Sequence, residues 1–395
     1  MTPQTQITCS RPIRLALIGR IHSAFKVFPN KLAIGSLLYC ITFFVIGFSN
    51  LAHAGYLWDS KEEKAQQSSI NDLSVETYIN STQRVQNVLY RLGVAANGNC
   101  GMDVKPLMGF GVASLEDFPS KYRDAAEKYQ SPVTGIKFDQ FPRVIYIADE
   151  SQASSIGLSV GDRIISIGKD TFGRNSTQSD VFESFQKQVA KGSSAALTFE
   201  HEGAQHTVSI NGVKGCYYDA EIVPMFLVNA WTNGYKISVT QGLLDTVESE
   251  SELALVIGHE MAHAAFNHVR KIYINNLPAQ ALDLAVSLAA RDPITQRGVR
   301  AAIASINKFA QANNRRNFER EADYIGLYFL RLANYEINGS EQLWMKKASE
   351  YPEFIEKSYW ATHPANPERL LLVNDAITEI HDKEEKHQSI APNLK

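Results

Sequence analysis

Across 395 residues there is no low-complexity tract and no tandem repeat, and neither sign of charge dominates. The first two absences set aside disordered and repeat-built architectures. A net charge of −3 supplies no basic face for nucleic acid. Acidic residues are missing altogether from residues 1–54, which hold Arg11, Arg14, Arg20, Lys26 and Lys31. Without those five the chain has 34 basic against 42 acidic residues, or −8, so its body is mildly acidic. Cysteine is scarce: there are four, and none sits in a Cys-x-x-Cys pair of the kind that binds metal. Beyond residue 54 there is no run of about 20 apolar residues that would span a bilayer. Even the alanine-rich "ALDLAVSLAA" is interrupted by Asp283 and followed by Arg291 and Asp292. The body is therefore expected to be soluble.

What is present begins with the apolar "LAIGSLLYCITFFVIGF", residues 32–48, followed by Ala52-His53-Ala54. A positive flank, an apolar stretch and a small-residue site predict a secretory signal peptide over 1–54, cleaved after Ala54. The alternative is an uncleaved anchor in the inner membrane, its positive end inside, since 17 residues lie at the lower edge of a span. Either way the body is exported, with a periplasmic location or a membrane association. Cys100 and Cys216 then remain, and an exported chain with an even count invites a disulfide between them. Connectivity is not fixed by sequence alone, so two free thiols stay open.

The segment "LALVIGHEMAHAAFNH", residues 253–268, is mostly apolar yet carries three histidines and a glutamate. Ser249 and Glu252 have capping-box spacing just upstream, and only Gly258 interrupts the run, so a helix is expected. A spacing of four puts His259 and His263 on one face, where two imidazoles can grip one metal ion. Glu260 projects beside them, in reach of a water molecule. A catalytic zinc takes three protein ligands and an open position. The segment "NFEREADYIGLYFL", residues 317–330, offers the third: Glu319 and Asp323 are again four apart. Glu319 is the expected ligand, with Glu321 as the substitute. Asp323 is expected to accept the free N–H of a ligating histidine. His268 lies past the ligand face and reads as a surface or packing residue, while His201, His206, His381 and His387 look solvated.

"HEMAH", "FEREAD" and "THPANPERL", in this order, resemble the family-48 zinc metallopeptidases, which include the CAAX prenyl endopeptidases and the HtpX-type and BepA-type proteases. The resemblance implies an α+β, mostly helical gluzincin-type domain. It implies one Zn2+ per chain, Glu260 as catalytic base, and protein or peptide substrates. It also implies that "VNAWTNGYKISVTQGLL", residues 228–244, forms the strand and turn on which an extended substrate lies. His363, in the third motif, is the candidate second catalytic group. It either stabilises the oxyanion or caps the zinc as an off-switch, and the switch is favoured. Arg369 either tethers the His363 loop or contacts substrate.

A helix over residues 73–92, with Leu73, Tyr78, Val85, Val88, Leu89 and Leu92 on one stripe, runs directly into the substrate strand in such peptidases. Here more than a hundred residues intervene. In them, "PRVIYIADESQASSIGLSVGDRIISIGKDTF", residues 142–172, resembles a PDZ domain. Ala153, Gly157, Leu158, Gly161 and Asp162 match its turn position by position. A helix, "QSDVFESFQKQVA", and a hairpin, "SAALTFEHEG" with "AQHTVSING", follow. "LMGFGVAS", residues 107–114, is the candidate carboxylate-binding turn, and 115–139 has no counterpart. Such a module takes C-terminal or extended peptides by adding them as a strand. A Cys100–Cys216 bond would close its neck and limit its swing.

The expected organisation is a signal or anchor over 1–54 and the N-terminal helical part of the peptidase over 55–100. A β-rich PDZ-like insert spans 101–215, the zinc peptidase domain 216–385, and a tail 386–395. The expected function is cleavage of misfolded or specific exported proteins, possible clients being unfolded envelope proteins. Two alternatives stand beside it: a latent protease acting as a PDZ-led chaperone, and a membrane-tethered processing protease.

Overall fold

The computed structural model describes residues 60–100, 104–118, 120–130, 136–189, 194–274, 316–340 and 367–393. Met1–Gln66 and Gln67–Lys395 are separate compact units. Of the first, only the helical start at 60–66 is described. The expected secretory segment over 1–54, its expected cleavage site and the stretch 281–290 lie outside the described residues. Among those described, no helix is long and apolar enough to cross a membrane.

The fold mixes helix and sheet. It opens with α1, Ser60–Ala95, longer than the apolar stripe alone predicts. Val85, Val88, Leu89 and Leu92 are buried on that stripe, but Leu73 is 64% exposed. The amphipathic pattern continues past the point where the main core ends. Leu73 instead lines an apolar groove of about 520 Å³ with Ile70, Met225 and Phe226.

From α1 the chain leaves through β1, Val104–Leu107, and returns through β8, Val213–Cys216. These two pair antiparallel, Val104 opposite Cys216, and a Cys100–Cys216 disulfide lies beside the pair. Between them stands a largely antiparallel sheet in the order β2-β3-β4-β6-β7, with β5 beside β4. Its strands are β2 Phe110–Ala113, β3 Arg143–Ile147, β4 Arg163–Ile167, β5 Asp170–Thr171, β6 Ala195–His201 and β7 Ala204–Ile210. One short helix, α2 (Ser120–Lys128), precedes β3, and a longer one, α3 (Gln178–Val189), packs Val181, Phe185 and Val189 onto the sheet. The turn between β3 and β4 uses the two glycines of the motif: Gly157 and Gly161 sit at φ +80° and +99°, where a side chain would be strained.

The insert does not hang from its neck alone. The stretch with no counterpart in sequence supplies Leu115, Phe118, Ala126, Ile136 and Phe138 to a separate apolar cluster. That cluster is completed by Val75 and Ile79 of α1. Asn87 of α1 exchanges two hydrogen bonds with Asp149, through its side-chain amide and to the Asp149 backbone N–H. Docking along α1, not the disulfide alone, fixes the insert's position.

Beyond the neck, β9 (Asp219–Val223), β10 (Ala230–Thr232) and β11 (Lys236–Thr240) form a sheet in the order β10-β11-β9, with β11 and β9 parallel. Then come α4, Gln241–Thr246, and α5, Glu250–Ala265. Residues 268–274 and 316–332 are helical, the latter named α6, and α7 spans Pro367–Glu385. The main core gathers α1, β11, α4, α5, α6 and α7.

Candidate metal centre

Helix α5 starts where its capping signal predicts: the Ser249 hydroxyl accepts the backbone N–H of Glu252 at 3.1 Å. The return arm differs from a closed box, because the Glu252 carboxylate takes the N–H of Glu248 instead. Gly258, the one apparent break, is where α6 crosses. A Cβ on Gly258 would lie 2.7 Å from Leu330 Cδ1, and one on Gly326 would lie 3.1 Å from the backbone N of His259. Two facing glycines thus bring the helices close enough for Glu319 and Asp323 to reach the histidines.

All four of those side chains, and Glu260, are buried. The ligand atoms of His259, His263 and Glu319 lie within 4.8 Å of one another. His259 Nε2 is 3.0 Å from His263 Nε2 and 3.3 Å from Glu319 Oε2, and His263 Nε2 is 3.5 Å from Glu319 Oε1. Ligands of a tetrahedral zinc at about 2.0–2.1 Å stand about 3.3 Å apart, so this triangle has the size zinc requires. The donor types fit as well, since imidazole and carboxylate both suit zinc.

Around the triangle the partners are specific. Asp323 Oδ1 accepts the Nδ1–H of His259 at 2.9 Å. Arg369, at the start of α7, clasps the same carboxylate through Nε and Nη2 at 2.6 and 2.7 Å and comes within 3.5 Å of Glu319. Arg369 is therefore neither a free substrate contact nor a surface residue: it holds Asp323. Burial works against the Asp323 charge, but the guanidinium and His259 outweigh it and hold the carboxyl below its usual range. Burial also opposes a proton on His259, yet its bonds to Asp323 and Glu319 prevail and push it up to about 10.

Of the two readings of His268, surface or packing, the structure gives the packing one. It is fully buried and stacked on Phe318, with ring centroids 4.5 Å apart. Its Nδ1 lies 3.0 Å from His263 Nδ1, its Nε2 3.0 Å from Glu321 Oε2, and burial pushes its pKa down to about 4. The helix ends earlier than a continuous reading allows. Asn267 takes a left-handed φ of 56°, a common helix-ending residue, and the chain turns His268 back onto His263. Asparagine at that position was the available signal. Glu321, the substitute ligand, faces His268 and not the triangle. His201 is not free in solvent either, since its Nδ1 bonds Asp162 Oδ1 at 2.7 Å. His363 lies outside the described residues.

Two imidazoles and a carboxylate converging beside a further glutamate make the donor set of a metallopeptidase. The comparisons with known proteins agree. The model of peptidase family M48 matches residues 208–376. The chain is 27% identical over 201 residues to the mitochondrial metalloendopeptidase OMA1 of Arabidopsis thaliana, covering 51% of this chain and 40% of that protein. It is 30% identical over 174 residues to a Vibrio cholerae protein named as a beta-barrel assembly-enhancing protease, covering 42% and 34%. Against OMA1 of Schizosaccharomyces pombe it is 25% identical over 181 residues, covering 45% and 52%. The matches thus span about half or less of each relative.

Proposed function

We propose that this chain is a zinc-dependent endopeptidase of the bacterial envelope, holding one zinc through His259, His263 and Glu319. The observation that carries this is the donor triangle, whose edges of 3.0 to 3.5 Å match a tetrahedral zinc. Zinc bound there would supply a Lewis acid for the scissile carbonyl and lower the pKa of water. Glu260, one residue from His259 and buried, takes the proton of the attacking water and hands it to the leaving amine. His259 is held in its Nδ1–H tautomer by Asp323, which Arg369 keeps ionised and in place. His363 is retained as the residue that either caps the site or stabilises the oxyanion.

The substrate strand is assigned to the edge of β10, which pairs only with β11 among the described residues. The buried Oδ1 of Asn229, just before β10, has no hydrogen-bond partner among the described residues, as expected of a group that waits for a peptide N–H. Clients are proteins or peptides. The name of the Vibrio relative, the basic apolar start of the chain and the Cys100–Cys216 disulfide support an exported, oxidising location. The insert is proposed as a PDZ-like module for recognition or regulation, on its β3–turn–β4 motif and the helix α3 beside the edge strand β2. Its groove is confined: the space between β2 and α3 is also walled by Tyr90 of α1 and by Tyr217, leaving about 60 Å³.

The test is Glu260→Gln. It is expected to retain about one zinc per chain while casein cleavage falls by ~10²–10⁴. If the zinc is lost together with the activity, the ligands have been wrongly assigned.

A further inference from the structure

We propose that His268 is a positioning residue for the metal centre: it accepts the Nδ1–H of His263 and is fixed for that task by Glu321. This rests on His263 being a zinc ligand. For His263 to present a lone pair from Nε2 to the triangle, its ring proton must sit on Nδ1. That atom lies 3.0 Å from His268 Nδ1. Two ring nitrogens at hydrogen-bond distance share one proton, so His268 Nδ1 must be the acceptor. The His268 proton then sits on Nε2, which faces the Glu321 carboxylate at 3.0 Å. A carboxylate only accepts, so the chain of donors closes without conflict: His263 Nδ1–H to His268, and His268 Nε2–H to Glu321. The other His268 tautomer would set two N–H groups against each other and a lone pair against a carboxylate.

The surroundings hold the ring where this requires. His268 is fully buried and stacked on Phe318, which sits on α6 one residue before Glu319. The left-handed Asn267 turns the chain so that the imidazole folds back along α5. The two ligating histidines are thereby supported unequally. His259 leans on an anion that Arg369 neutralises, whereas His263 leans on a neutral ring whose own anion, Glu321, is one ring further out. The site gains an oriented second histidine without a third carboxylate against the zinc.

The experiment reads zinc affinity by competition with a chelator, on wild type, Glu319→Ala, His268→Leu, His268→Asn, Glu321→Leu and Glu321→Gln. Partners of this kind are worth about 10–100-fold in metal affinity. His268→Leu is expected to lose affinity in that range. His268→Asn, whose Oδ1 can replace the Nδ1 acceptor, is expected to keep most of it. Glu321→Leu leaves the His268 tautomer unfixed and is expected to weaken zinc several-fold, with Glu321→Gln close to wild type. Because Glu321 is at the surface, its variants decide the matter even where His268→Leu fails to fold. Long-range ¹H–¹⁵N spectra of the zinc-loaded wild type give the direct readout: His263 protonated at Nδ1 and His268 at Nε2. Unchanged affinity in His268→Leu or Glu321→Leu, or His268 protonated at Nδ1, overturns the proposal. Wild type that binds no zinc, or binds it regardless of Glu319, overturns instead the metal assignment on which it rests.

Discussion

The two cores of this molecule are built on opposite principles. The core of the insert is apolar: Phe110, Val112, Ile164, Ile167, Phe185, Leu197 and Phe199 fill it. Its few buried polar groups brace turns, as Ser151 does by donating to the Gly109 carbonyl and Asp162 by accepting the Ser159 N–H. The core around α5 instead buries His259, Glu260, His263, His268, Glu319, Asp323 and Arg369 together, none more than 8% exposed. Burying that many ionisable groups carries a desolvation penalty that well-packed apolar residues would avoid. A protein keeps such a set where chemistry needs it, and the contrast marks the core around α5, not the apolar one, as the place for chemistry.

The contrast is broken most sharply at Glu319. Glu319→Ala removes one corner of the donor triangle and is expected to weaken zinc by more than ~100-fold and to abolish peptidase activity, with the melting of the insert unchanged. Zinc titration with calorimetry on the same samples checks both halves. Retained full affinity would show that the triangle is not the metal site. The reverse experiment is Phe185→Ala, which empties the centre of the insert's core. Its expected cost is about 3–5 kcal/mol in the stability of the insert, with zinc affinity untouched. A single unfolding transition that takes zinc with it would mean that the cluster of Val75 and Ile79 with Phe118 and Phe138 fuses the two cores into one cooperative unit.

The same difference governs what could be read from the sequence. Helix period and ligand spacing put His259, Glu260, His263, Glu319 and Asp323 together because the residues on each helix are neighbours through local geometry alone. The strands and turn of the insert were legible in the same way, through β-rich runs bracketed by Gly157 and Gly161. The function of Gly258 was not, because a helix crossing depends on a second glycine 68 positions away, Gly326. His268 was legible only as surface or packing, because its contact with His263 depends on Asn267, a residue that ends helices by taking a left-handed conformation. Leu73 was taken for core because its stripe is regular, and regularity does not report where the partner surface stops. The role of Leu115, Phe118, Ala126, Ile136 and Phe138 was illegible for a related reason: they cluster with Val75 and Ile79 of α1, which is remote in sequence and visible only once the fold has closed.

The smallest expected effect lies in the pair of partly exposed His201 with buried Asp162, and its sign follows from proton linkage. His201 ends β6, and its Nδ1 bonds Asp162 at the turn before β4. The hydrogen bond to Asp162, and then its charge, raise the His201 pKa above the ordinary value. A group whose pKa is raised by folding adds stability that is complete below its unfolded pKa, about 6.5. That stability disappears as pH climbs through the raised folded value. The pair therefore favours the folded insert at acidic pH and loses that contribution as pH rises through the raised value. His201 is 36% exposed, and solvent-screened ion pairs are weak, so the shift is expected to be small. The measurement is the difference in melting temperature between wild type and His201→Gln across pH 5.5 to 9.5. Wild type should be ahead at the acidic end and level with the variant at the basic end. A difference that stays constant with pH would mean that His201 acts by packing, through its contact with His206, and not through its proton.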